Sequence, residues 1–380
     1  MSASLPPAPS LEQLRKRAKE LARAHRAGDK GAVARVADQR PRPAEPLKLS
    51  DAQLVIAREH GFPSWPALRR YVDRLAAHGS GLQHAYQQDL GYYDGRAFGL
   101  LASAEDGTEG AVAAFARHGA PLSQAGARLV VAREHGLSGW PALRRHVAGL
   151  PDSGEPFARA YRAIEAHDVD SLAELLDRFP EVVTARGTNG NDLLGMASAT
   201  CDERLVATLL ERGADVTRAN AHGWTALHQA AYSDLPMMAR MLLDSGAPVD
   251  VSARGAGGTP LVVALFWGNR ATAELLAEHG VAPPNLRAGA GLGRRDLLDE
   301  LVSPNGRLAP QAGAQRAFYR PHSGFPAWQP SDDPREVLDE SLSWAARNDR
   351  VETLDVLVAR GASVEADVYR GTALAWAAAC

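Results

Sequence analysis

The sequence predicts an all-α protein: a helical solenoid with short finger loops, preceded by a duplicated helical module. Three observations carry this. Residues 54–72 (LVIAREHGFPSWPALRRYV) and 129–147 (LVVAREHGLSGWPALRRHV) are identical at fourteen of nineteen positions at an offset of 75, which marks a tandem duplication. From about residue 157 a shorter period of about 33 residues takes over. Apolar residues recur at helical spacing, as Leu14, Ala18 and Leu21 do.

The duplication divides the front into one copy over 1–78 and a second over 79–152. Each copy reads as four short helices. In the first, Leu11 to Ala27 is amphipathic, Gly28-Asp29 breaks it, and a second helix covers about 30–38. The segment 41–46 (PRPAEP) is a proline-rich link. Ser50 and Gln53 have the spacing of a capping box for the third helix. Gly61 stands where a left-handed cap ends that helix, and Ser64 caps the fourth through Trp65, Pro66 and Leu68. In the second copy Gly136, Gly139 and Trp140-Pro141 repeat this plan. A tryptophan just after a tight turn lies across both helices, so Trp65 and Trp140 are expected in the core. His60 and His135 occupy equivalent places in a last helical turn, where the helix dipole favours them.

The strongest unit of the second period runs from Asn220 to Gly246 and contains Thr225-Ala226-Leu227-His228-Gln229-Ala230-Ala231. The segment from Thr259 lies 34 residues on, and the one from Asp192 lies 33 residues back. The phrases LLERGAD (209–215), LLDSGAP (242–248) and LVARGAS (357–363) close successive units. This set resembles the T-P-L-H-x-A-A and L-L-x-x-G-A-D signatures of ankyrin repeats. The resemblance implies an ankyrin-type α-solenoid whose helix pairs stack, because no single repeat buries its own apolar face. It implies that Asn220 and Gly223 hold the finger turn and that His228 braces neighbouring fingers.

Six units are expected: five over 155–302, starting near 157, 190, 223, 258 and 285, and a sixth from 336. Two departures interrupt them. Residues 303–335 form an insertion with six prolines and four aromatic residues, too aromatic for a flexible linker. An ordered loop over the stack is expected there, with Phe318, Phe325 or Trp328 docked. The segment 370–380 reads as a first helix with no second after it, as in an array cut short.

Composition narrows the function classes without naming an activity. The chain has 380 residues, 45% apolar and 23% charged, which excludes wholesale disorder. Its formal charge is −3, distributed as +7 over residues 1–80 and −10 over the rest. No apolar run approaches a membrane span and no secretory leader is evident, so no membrane partner and a cytoplasmic setting are expected. The 38 arginines against 4 lysines suggest GC-rich, bacterial coding. Two cysteines, Cys201 and Cys380, make neither a disulfide framework nor a thiolate zinc site. The basic helices bearing Arg69-Arg70 and Arg144-Arg145 have the outline of a DNA-reading helix-turn-helix. That spacing is generic and the second copy is far less basic, so nucleic acid is the lesser reading.

No P-loop, nucleophile elbow or metalloprotease motif is present, and GAGLG (289–293) falls inside a helical repeat position. Neither cofactor, metal nor catalytic residue is therefore assigned, and the chain is not expected to be an enzyme. The resemblance implies binding by finger tips and first-helix ends on the concave face, here His222, Trp224, Tyr232 and Ser233 in the third unit. In the fourth unit the equivalents are Arg254, Phe266 and Trp267. Tryptophan, tyrosine and arginine are the residues enriched in binding hot spots. The expected function is a protein–protein scaffold or adaptor. The alternative is a small-molecule or enzyme site between the insertion and the concave face, drawing on Tyr319, Arg320, His322, Asp332 and Asp333. Trp344 and Trp376 are expected in the core.

Overall fold

The computed structural model of the chain describes residues 5, 9–40, 46–78, 85–149, 155–255, 257–280, 282–317, 319–321, 325, 328–369 and 371–380. Phe318 and His322 lie outside the described residues. The first copy of the module contains α1 (Leu11–Arg26), α2 (Lys30–Gln39), α3 (Leu49–Glu59) and α4 (Trp65–His78). The second contains α5 (Leu90–Glu105), α6 (Glu109–His118), α7 (Gln124–Glu134) and α8 (Trp140–Ala148). Short polar caps set these boundaries. Asp29 accepts from the Ala32 amide (2.8 Å) and Ser123 from the Gly126 amide (3.1 Å), each satisfying a donor that the first helical turn leaves free. Gly61 and Gly136 stop α3 and α7 at φ of 82° and 71°, a conformation costly for other residues.

Two sequence expectations need correction here. The α3 cap lies two residues before Ser50: the Asp51 carboxylate accepts the Lys48 amide at 3.3 Å, and Asp51 also pairs with Arg40. Trp65 and Trp140 are half-buried at the rim, because Phe62, Leu68 and Tyr71 fill the first core and Tyr93, Leu100 and Leu143 the second. Trp140 instead carries the Arg128 guanidinium over its ring at 5.4 Å.

Among the described residues the solenoid consists of six helix pairs and a further helix. The pairs are α9 (Pro156–Glu165) with α10 (Val169–Arg178), α11 (Leu193–Ala199) with α12 (Glu203–Glu211), and α13 (Ala226–Tyr232) with α14 (Pro236–Asp244). Then follow α15 (Pro260–Phe266) with α16 (Arg270–His279), α17 (Leu286–Leu292) with α18 (Arg295–Leu301), and α19 (Pro334–Arg347) with α20 (Val351–Ala359). The last is α21 (Ala373–Ala379). The first helices of the second to fifth units begin at the same kind of cap, Asp192, Thr225, Thr259 and Asn285. Ala230 and Ala231 are fully buried, which allows α13 to approach its neighbours, and Leu227, Met238 and Leu242 fill the layer between. Among the described residues there is no strand, only the isolated bridges Ala253–Gly258 and Val302–Leu308.

The glycines 289 and 291 lie within α17. A Cβ at Gly291 would stand 3.1 Å from Leu265 and one at Gly289 3.2 Å from Leu297, so these glycines serve helix packing. The insertion is laid against the stack. Tyr319 and Phe325 pack on Phe266 at 5.4 and 6.3 Å, and Trp328 packs on Tyr369 at 4.9 Å. Trp344 is buried as expected, whereas Trp376 is only half-buried, its indole donating to the Val368 carbonyl at 3.2 Å. The sixth unit starts at Pro334, two residues earlier than expected, because Asp333 caps it.

The two copies of the module take different places. The first caps the leading end of the solenoid: Phe62 and Tyr71 pack on Phe179 at 5.8 and 6.5 Å, and Arg159 donates to the Gly61 carbonyl at 3.1 Å. The second lies along the finger tips. His135 bonds Thr188 (2.9 Å), Ser103 bonds His222 (2.7 Å), and the Asn189 amide donates to Glu134 (2.9 Å). Tyr86, buried among Tyr92, Tyr93, Phe157 and Tyr161, joins the two regions. No helix among the described residues is long and apolar enough to cross a membrane.

Candidate binding site

The third finger is built by one side chain. The Asn220 carbonyl oxygen accepts the amides of His222 (2.9 Å) and Trp224 (3.1 Å), while Gly223 turns the chain at φ 75°. This turn sends His222 inward. His222 is therefore not the exposed contact residue that its position suggested: it is 6% exposed, held by Ser103 and by Asn189 at 3.3 Å. Phe266 is likewise corrected. It is buried under Tyr319, Phe325 and Tyr369, because the insertion covers the end of α15.

The other partner-binding candidates form a strip. Tyr232 is 44% exposed, with ring centroids of Trp224 and Trp267 at 6.1 and 5.5 Å on its two sides. Trp224 and Trp267 are half-buried, and Ser233 flanks them, accepting from Gln229 at 3.0 Å. Arg254 lays its guanidinium over Trp224 at 5.5 Å. Between this strip and α5 lies a cavity of about 440 Å³ lined by Arg96, His222, Trp224, Tyr232, Arg254 and Pro321, among others. Arg96 was missed from sequence. Its one signal was Gly91, Gly95 and Gly99, spaced by four along α5, which leave that helix face bare.

The insertion candidates among the described residues, Tyr319, Arg320, Asp332 and Asp333, do not converge. Tyr319 is buried and accepts from the Trp267 indole at 3.5 Å, and burial pushes its phenol up to about 12. Arg320 straps the insertion to the second module copy through Asp106 at 2.7 and 2.8 Å. Asp333 caps α19 by accepting the Arg335 amide (3.0 Å), and Asp332 is exposed beside it. A general acid–base site needs these groups within hydrogen-bond reach of one substrate position, and this dispersal does not offer that. Among the described residues no group of three His, Cys, Asp or Glu side chains could hold a metal.

His228 does the bracing implied for it: its Nδ1 bonds Thr225 at 2.8 Å and its Nε2 bonds the Gly258 carbonyl at 2.9 Å. Burial lowers His228 to about 4 and His222 to about 3, and raises Glu134 to about 7. Neutral buried histidines give stability that is present above their ordinary value of 6.5 and is lost as pH falls. Glu134 acts oppositely, giving stability present below 4.5 that is lost as pH rises through about 7. Between about pH 4.5 and 6.5 the three groups together should lose about 1.4 kcal/mol per unit of acidification, one net proton. Glu134→Gln removes the opposing carboxyl, so the acid slope should roughly double and stability above pH 7 should rise. Urea midpoints at pH 5 and 7.5 check this, and an unchanged slope would contradict it.

Residues 161–253 and 194–287 match the family model described as ankyrin repeats (3 copies). Rabankyrin-5 of Homo sapiens is 30% identical over 127 residues, 33% of this chain and 11% of that protein. The BTB/POZ domain and ankyrin repeat-containing protein NPR2 of Oryza sativa subsp. japonica is 36% identical over 92 residues, 24% of this chain and 14% of that protein. The chain thus spans little more than a tenth of the length of these curated relatives. The crystal structure of the human ASB11 ankyrin repeat domain aligns over 57% of this chain and 90% of that one, with 22% identity and a TM-score of 0.37. The capped first helices, buried alanine pair and finger-bracing His228 agree with the family match, and residues 161–287 form ankyrin repeats.

Proposed function

We propose that the chain is a non-enzymatic adaptor that binds another protein through the strip Trp224–Tyr232–Trp267. Ankyrin repeats are in general protein–protein interaction modules. The observation that supports this site is Tyr232, a large ring left 44% exposed between two half-buried tryptophans. Such rings supply contact area at low entropic cost and dominate interface energetics. The second module copy contacts the fingers at Thr188, Asn189 and His222, and the insertion contacts Arg254 and Phe266, which leaves this strip for recognition. The 38 arginines and the two free cysteines support a bacterial, cytoplasmic setting for the same reading.

The test is affinity capture from the source lysate with the intact chain, with Tyr232→Ala/Trp267→Ala, and with 303–335 replaced by a short finger loop. A protein held by the intact chain should bind the double variant at least about tenfold more weakly, the size of one hot-spot loss. Equal capture by the folded double variant would remove the strip from the function.

A further inference from the structure

The cavity between α5 and the fingers has an unusual charge balance. Two guanidiniums line it, Arg96 from the second module copy and Arg254 from the fourth unit, and no aspartate or glutamate does. Most other buried or half-buried arginines are answered, Arg178 with its unpartnered Nε being an exception. Arg287 and Arg316 pair with Glu340, Arg360 with Asp299 and Arg320 with Asp106, while Arg347 donates to the Phe266 carbonyl inside a cage of rings. Neither Arg96 nor Arg254 meets a carboxylate among the described residues, and Arg254 Nε is buried with no hydrogen-bond partner there. Both are instead stacked on rings, Arg96 on Tyr92 at 4.9 Å and Arg254 on Trp224 at 5.5 Å. Stacking fixes the plane of a guanidinium and leaves its donor edge to a ligand.

The protein maintains this arrangement at a cost. Arg254 has φ 52°, a left-handed backbone rare for a residue with a side chain. It is held there by its amide on the His222 carbonyl (2.9 Å) and by its own carbonyl, which accepts the Arg320 amide (3.4 Å). Burial lowers Arg254 and the nearby Arg96 charge lowers it further, while Tyr319, Tyr232 and Asp106 act in the opposite direction. The wall opposite is bare: a Cβ at Gly95 would meet nothing within 4 Å. Met196, Tyr232 and Pro321 supply apolar surface, and the volume of about 440 Å³ suits a small ligand.

We propose that this cavity binds a small anion, a carboxylate or phosphate monoester carried on a compact apolar body, between Arg96 and Arg254. A charge-assisted, forked contact to each guanidinium supplies the recognition. The ligand would bridge the second module copy and the repeats, since each contributes one arginine. The cavity shares Trp224 and Tyr232 with the protein-binding strip, but the inference does not rest on that reading and its test uses no protein partner.

The test is calorimetric titration of the full chain at low salt with phenyl phosphate, benzoate and, as neutral control, phenol. The wild type should bind at least one of the two anions saturably below about 1 mM and should not bind phenol. Arg96→Gln and Arg254→Gln should each weaken binding at least tenfold. Gly95→Leu, which fills the cavity without altering charge and favours the helix, should abolish it. Preference for phenyl phosphate assigns the phosphate class and preference for benzoate the carboxylate class. The absence of saturable anion binding by the folded wild type overturns the proposal, as does undiminished binding by the folded arginine variants or by Gly95→Leu.

Discussion

Replacing Glu340 by alanine is expected to destabilise the C-terminal end of the solenoid by about 3–5 kcal/mol, the cost of stranding a buried counter-charge. Glu340 is fully buried on α19. It accepts from Arg287 at 2.8 Å, from Arg316 of the insertion, and from the Tyr369 hydroxyl, which burial and this carboxylate keep protonated by raising its pKa. Its removal leaves the buried Arg287 guanidinium without its counter-charge and leaves Arg316 with only the part-exposed Glu336, at 3.3 Å. Because solenoid units couple mainly to their neighbours, α17 to α21 should melt before the rest. Urea unfolding with hydrogen exchange along the chain reads this directly: protection should fall first at 286–301 and 334–359. A midpoint within about 0.5 kcal/mol of wild type, the range of an ordinary surface change, would refute it. Replacing Glu340, Arg287 and Arg316 together by apolar residues of similar volume should recover most of the loss, since the pair then has no charge left to strand.

Gly223→Ala is expected to cost about 2–5 kcal/mol. The left-handed conformation at φ 75° contributes about 1–2 kcal/mol for any residue with a Cβ, and overpacking about 1–3 kcal/mol. The added methyl would stand 2.4 Å from the Ser252 carbonyl oxygen and 3.0 Å from the Ala253 Cα, both backbone atoms of the next finger. Relief therefore requires the third and fourth fingers to part, which disturbs the Trp224–Arg254 stack. Tryptophan fluorescence during urea unfolding should show a lowered midpoint. An unchanged midpoint would mean that the fingers slide freely, contrary to the bracing by His228.

Much of the fold was legible from local signals. The residues Asp192, Thr225, Thr259 and Asn285 announce helix starts because a short side-chain acceptor is needed by the first-turn amides. The docking of Phe325 and Trp328 followed from composition, since aromatic rings in a loop gain by leaving water. The site was less legible. His222 and Phe266 stand at family contact positions, yet they are buried by Ser103 and by Tyr319, residues 119 and 53 positions away. Arg96 carries no local mark of function beyond the spaced glycines of α5, because its role depends on which surface α5 meets.

The sequence alone determined the helix pairs, their period, the duplication and the ankyrin signature. Apart from the duplication, which is read at an offset of 75, these rest on interactions within about 35 residues, the reach of one repeat and its neighbour. The tertiary structure decided which module copy caps the stack, which lies on the fingers, and which side chains remain open. Those outcomes depend on the packing of surfaces brought together from distant parts of the chain, where two nearly identical copies meet different partners. The same Arg-Glu-His-Gly turn places His60 against Arg17 inside its own module and His135 against Thr188 of the repeats. Period and spacing are the same in both, and only the neighbours differ.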